Sequence, residues 1–192
     1  MTVSIDGTAG ITTPAVTSSG TDEAATQTQG GVAMPRMVLS TAQNTTSGTS
    51  IDFTTIPSWV KRITVMFNGV STSGTSATII QIGAGSVTTT GYASGGMQAG
   101  ATNVVTGLST TSGLLVGNGV SAANLTTGAA VLTTMGSNLW VMQSSGGFEN
   151  VAYGFSCGGK VSLSGTLDRL RLTTIGGTDT FDAGSVNILY EG

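Results

Sequence analysis

A chain of 192 residues fits one ordinary domain with something extra, and 39% hydrophobic content can supply a proper core. Only 8% of the residues are charged, the net charge is −3 and histidine is absent. That balance disfavours a nucleic-acid binder, which neutralises phosphates with Lys and Arg, and it removes Ser–His–Asp triads, Cys–His pairs and most zinc sites.

The 30 glycines, with abundant Ser and Thr, come without the high net charge of a disordered chain. β-Branched residues between frequent glycine turns point to strands. No apolar run approaches the roughly 18 residues of a membrane span, so no membrane insertion is expected. The opening MTVSIDGTAG lacks the charged and apolar regions of a signal peptide, which leads us to expect a protein made in a cytoplasm and used as translated. Cys157 stands alone, so no intrachain disulfide is expected.

Residues 1–35 carry only scattered apolar positions, as in SIDGTAGITTPAVTSSGTDEAATQTQGG. Their Gly, Pro and Ser clusters are loop punctuation, and TDEAATQTQ has no apolar stripe to hold a helix. An extended N-terminal arm without its own core is expected, either disordered or ordered by a partner, copies of itself included. Within it GITTPAV places Ile11, Pro14 and Val16 in one short extended stretch. Such a stretch suits strand addition or threading on another protein, which makes these three the candidate attachment residues.

From Arg36 onward, strands are predicted near 36–42, 49–55, 60–69, 76–82, 101–107, 113–117, 129–135, 138–144, 150–156, 167–174 and 185–190. SWVKRITVMFNGV puts Trp59, Ile63, Val65 and Phe67 on one side and Arg62, Thr64 and Asn68 on the other. Lys61 interrupts the apolar side near a strand end, where its stem can lie on apolar surface with the ammonium in water. LDRLRLTT turns Leu170 and Leu172 inward and Arg169 and Arg171 outward, and SVNILYEG sets Val186, Ile188 and Tyr190 against Ser185, Asn187 and Glu191. Period two with one polar side means antiparallel, half-buried strands. The tripeptide SGT recurs at 19, 47, 73 and 164, too irregularly for a solenoid repeat. The expected architecture is all-β: an antiparallel β-sandwich or jelly-roll-like head over 36–192. Lys61–Arg62 and Arg169–Arg171 then decorate strands and blunt edges.

Catalytic motifs are weak. Gly117-Asn118-Gly119-Val120-Ser121-Ala122 follows an apolar run, but a dinucleotide site would need a helix next and an acidic residue about 20 positions on. Ser58 and Lys61 match S-x-x-K formally, yet Pro57 precedes them and strand alternation follows. Cys157 reads as a small buried hydrophobe. Asp52, Glu149, Asp168, Asp179 and Asp182 are the carboxylates from which a glycosidase pair would be drawn, but Asp before Gly or Thr is more often a turn residue. No catalytic residue, metal ligand or cofactor is assigned.

Two blocks carry a resemblance. SGTSIDFTTIPSWVKRITVMFNGVSTSGTSATIIQIGAGSVTTTGY (47–92) and LSGTLDRLRLTTIGGTDTFDAGSVNILYEG (163–192) are similar to the conserved blocks of a tailed-bacteriophage tail-fibre family. The resemblance implies a virion protein made in the host cytoplasm, a homotrimer whose β-rich head meets the bacterial surface. With only some 35 residues before the head, and neither heptads nor a repeat array, it implies a short tail fibre. Its partners would be other virion proteins (tail hub, adaptor, nozzle or baseplate) and a surface glycan or outer-membrane receptor. A head fibre or capsid decoration protein is the alternative, and a carboxylate-based polysaccharide depolymerase the more distant one. Aromatic rings supply the stacking face of glycan sites. Tyr92, Trp140 and Tyr153 are the candidate receptor contacts, because 92–160 lies between the two blocks and reads as loop-rich.

Overall fold

Alternating apolar and polar positions become paired strands at Arg62–Thr72, Arg169–Thr174 and Phe181–Glu191, whose burial follows the alternation. The structure is a computed structural model that describes residues 35–102, 104–117 and 121–192, and the backbone at 28–29 and 32–33. Two compact units divide it, 1–34 and 35–192. In the first, β1 (Thr28–Gln29) pairs antiparallel with β2 (Val32–Ala33). Ile11, Pro14 and Val16 lie outside the described residues.

The second unit holds β3 (Met37–Leu39), β4 (Gln43–Asn44), β5 (Ser50–Phe53), β6 (Arg62–Thr72), β7 (Thr78–Ala84), β8 (Ser86–Val87) and β9 (Ala93–Gly100). It continues with β10 (Val105–Thr110), β11 (Leu114–Gly117), β12 (Thr126–Gly136), β13 (Leu139–Phe148), β14 (Val151–Ser162), β15 (Arg169–Thr174) and β16 (Phe181–Glu191). No helix occurs among the described residues, and both sheets of this unit are antiparallel. The chain is all-β.

A nine-stranded sheet runs β10-β9-β14-β13-β12-β6-β16-β3, with β4 also on β16; a five-stranded sheet runs β11-β7-β15-β5, with β8 on β7. Their inner faces share one core. Ile63, Val65, Phe67, Leu132, Trp140, Val186 and Ile188 come from the larger sheet, and Ile51, Phe53, Ile80, Ile82, Leu114, Leu170 and Leu172 from the smaller. Strand β7 is buried on both sides, because Ile79 turns the other way to meet Leu115, Ala77 and Cys157 in a second cluster.

The segment 92–160 is not loop-rich, contrary to the sequence expectation; it holds β9 to β14. Strand β9, ASGGMQAG, has no β-branched residue to announce it. Its glycines serve packing: a Cβ at Gly96 would overlap the Cys157 side chain on β14. Trp59 also departs from its predicted place. It stands in the turn before β6, half-buried, with its ring 5.8 Å from that of Tyr190 and Arg36 5.6 Å from its centroid.

Candidate functional site

The β12–β13 hairpin closes on two residues, since Gly136 pairs with Leu139. Ser137 and Asn138 both adopt positive φ, 49° and 59°, which is the geometry whose twist matches that of the flanking strands. The Thr134 hydroxyl accepts the Gly136 N–H at 3.1 Å and donates to the Leu139 carbonyl at 3.3 Å, tightening the bulge before the turn. Beside it, a turn in which the Val60 N–H donates to the Pro57 carbonyl presents Ser58. The Lys61 backbone is tied between two strands: its N–H donates to Glu191 at 2.7 Å and its carbonyl accepts from Thr134 at 3.0 Å.

These elements enclose a surface depression of about 340 Å³ lined by Ser58, Lys61, Thr134, Asn138, Trp140 and Thr166, among others. Lys61 is exposed and makes no ion pair among the described residues. The lining residues carry one ammonium, one amide and several hydroxyls around a depression that also touches the Trp140 indole. Such a set can hold a hydroxylated or weakly anionic ligand by hydrogen bonds. It contains no nucleophile–base pair.

The three aromatic candidates separate. Trp140 is 4% exposed, so its ring belongs to the core and reaches this depression only at the floor. Tyr92 is 2% exposed and is no open stacking face. Its oxygen accepts the Ile82 N–H at 2.9 Å and lies 2.9 Å from the Thr88 carbonyl, which fixes the turn after β7. Burial pushes its phenol up to about 12, the Ile82 hydrogen bond working the other way. Tyr153 is half-buried on β14 opposite Gly100 and packs against the core. The sequence reading met Ser58 and Lys61 as a formal S-x-x-K match and singled out neither Asn138 nor Thr134 and Thr166. A two-residue Ser-Asn connection between two β-runs was the signal that could have found Asn138 and Thr134.

Four of the five candidate carboxylates are occupied elsewhere, and Asp182 is exposed on β16. Asp52 receives Arg171 in a two-pronged contact at 2.7 and 2.9 Å. Asp168 receives Arg169 at 2.8 Å and the Gly85 N–H at 3.1 Å, and the Arg169 hydrogen bond holds its carboxyl below the usual range. Asp179 accepts the Ser76 N–H, and Glu149 accepts the Thr127 hydroxyl. Among the described residues no three His, Cys, Asp or Glu side chains gather as a metal site. Cys157 is buried, and that burial raises its thiol pKa against an opposing hydrogen bond with Ser144.

Compared with protein-family models, curated proteins and solved structures, the chain finds no match.

Proposed function

We propose that this chain is a structural virion protein, the short tail fibre of a tailed bacteriophage. In this reading it is a homotrimer that binds without cleaving. A jelly-roll-like head, 36–192, contacts a bacterial surface glycan or outer-membrane receptor, and the arm, 1–35, attaches to the tail.

The observation that carries the reading is how the two fibre-like blocks combine. Block 47–92 supplies β5 to β8 and block 163–192 supplies β15 and β16. They interleave, with β15 between β5 and β7, and β16 beside β6. The residues between the blocks supply β9 to β14, including the depression's hairpin. A scaffold that brings Ser58 and Lys61 from one block, Thr166 from the other and Asn138 from between them to one depression is the organisation a receptor-binding head needs.

The pairing pattern supports a jelly-roll-like head. Strand β4 pairs with β16, β5 with β15, β6 with β12 and β7 with β11. These pairs are nested, as in one long antiparallel ribbon rolled so that its rungs fall in two sheets. The hairpins β9–β10 and β13–β14 are additions that pair with each other through β9 and β14.

The test is direct. Labelled full-length protein should bind susceptible bacteria saturably, with purified lipopolysaccharide or capsule competing, and antibody against it should mark the tail on intact virions. Labelling of the capsid would replace this assignment by a head fibre or decoration protein. Reducing ends released from the glycan would replace it by a depolymerase.

A further inference from the structure

The two sheets present very different outer faces. The five-stranded sheet displays the Asp52–Arg171 and Asp168–Arg169 ion pairs. The outer face of the nine-stranded sheet carries small, apolar and uncharged polar residues over its middle, with Gln143, Asn68 and Asn187 among the polar ones. Opposed pairs across its middle are Met66 with Ala129, Thr64 with Val131, and Ala129 with Ser145; Ser145 faces Ser156, which faces Met97. Lys160, Arg62 and Glu191 share the end of the face that Val141 and Thr133 complete, and Arg62 and Glu191 lie 3.5 Å apart as a pair. At the opposite end Glu149 accepts the Thr127 hydroxyl beside Gly69, and Asp182 on β16 is exposed, so the charges border the face and leave its middle clear. Both edges of this sheet continue the apolar surface. Met37 and Leu39 on β3 are 66% and 62% exposed, and Met97 and Val105 at the β9–β10 end are 55% and 61% exposed.

We infer that this face is the surface on which copies of the chain assemble. The inference rests on the homotrimer reading for the number of copies, and on the face for the contact. Area supports the assignment of a second copy. Eight strands spaced about 4.8 Å apart, with about six residues of each at ~3.3 Å rise, make a face on the order of 700 Å². A stable protein interface covers about 800 Å² per partner, so this face and its two edges are of the right size. Charge supports it as well. The middle of the face, with Thr64, Met66, Ala129, Val131, Ser145 and Ser156, carries no charge, so neighbouring copies in a ring bring no like charges together there. Edge strands are normally blunted by charge, proline or a covering element, and β3 exposes Met37, Val38 and Leu39 in a row. The smaller sheet follows that rule: its β11 edge is bonded by Ser94 and Ser144, and on β5 the Asp52 carbonyl accepts from Gln43.

Light scattering on the full-length chain at micromolar concentration should give three times the 19.0 kDa chain mass. Val131→Arg, at the centre of the face, should shift the protein to monomer with its β-sheet circular dichroism unchanged. A single Ser145→Cys should be cross-linked between copies by a short bismaleimide, whereas Thr89→Cys, on the five-stranded side, should not; Cys157 is buried. A monomeric wild type, or an oligomer that survives Val131→Arg while Thr89→Cys cross-links and Ser145→Cys does not, overturns the inference. Cell binding reports separately. A dimer through this face keeps the interface and rejects the trimer, and an assembled protein that binds no bacteria rejects the fibre reading alone.

Discussion

The Ser94 hydroxyl accepts the Leu115 N–H at 2.8 Å and donates to the Gly158 carbonyl at 3.0 Å, so a side chain of the nine-stranded sheet completes the edge of the five-stranded one. Ser144 does the same for carbonyls, reaching Val116 at 2.9 Å and Leu115 at 3.2 Å. Strand β11 is thereby an edge without free polar groups in its middle.

Removing the first of these hydroxyls leaves a buried donor without a partner. Ser94→Ala should destabilise the head by about 1–3 kcal/mol, and Ser144→Ala by less, because carbonyls tolerate a missing donor better than N–H groups tolerate a missing acceptor. Denaturant titration at fixed protein concentration measures both. Equal losses for the two variants would mean that β11 is not held by its N–H.

Glycine in the added strands divides into two kinds. A Cβ at Gly146 would run into the Thr127 carbonyl and the Phe155 ring, whereas one at Gly158 would meet the Met142 carbonyl no closer than 3.4 Å. Gly146→Ala should cost roughly 1–3 kcal/mol through forced displacement, and Gly158→Ala should lie within about 0.5 kcal/mol of wild type. The same titration decides. A neutral Gly146→Ala would show that β12 and β13 can part at that point.

Alkaline pH should reveal Tyr92. Its folded pKa is about 12 against the ordinary value of 10.0. In that window the unfolded chain has lost a proton that the folded chain keeps, so stability is intact below 10 and falls as pH rises toward 12. The loss approaches about 3 kcal/mol for a shift of some two units. Tyrosinate absorbance should show one of the three tyrosines ionising late. Tyr92→Phe should flatten the pH dependence of stability while lowering it at neutral pH, since the Ile82 N–H loses its acceptor. A pH profile that Tyr92→Phe leaves unchanged would assign the effect to another group.

At the Trp140 depression, Lys61→Ala and Asn138→Gly should each weaken binding to bacteria about tenfold, the equivalent of one net hydrogen bond near 1.4 kcal/mol. Glycine is chosen at 138 because it keeps the positive φ of 59° while removing the amide. Stability should change little at exposed Lys61. Cell-binding titrations measure the effect, and two variants that bind like wild type would place the receptor contact elsewhere on the head.

Much of the fold was legible in local pattern. Ile63, Val65 and Phe67 alternate with Arg62 and Asn68, and Leu170 and Leu172 with Arg169 and Arg171; a half-buried strand writes its two faces into consecutive residues. Strand β9 was not legible, because a strand made of Gly, Ala and Ser is defined by the neighbours that need it thin. Low charge and missing histidine likewise limit the chemistry open to this chain, whatever shape it takes. Tertiary structure decided where the aromatic rings go. Trp140 falls in a predicted strand and Tyr92 just before β9, and the closing of two sheets over one core buries both rings. It also decided which polar groups meet: Lys61 and Asn138 are 77 positions apart in sequence and share one depression because β6 and β12 pair. Alternation along a chain records burial, a local property, whereas a site depends on register between distant strands, and no run of consecutive residues encodes that register.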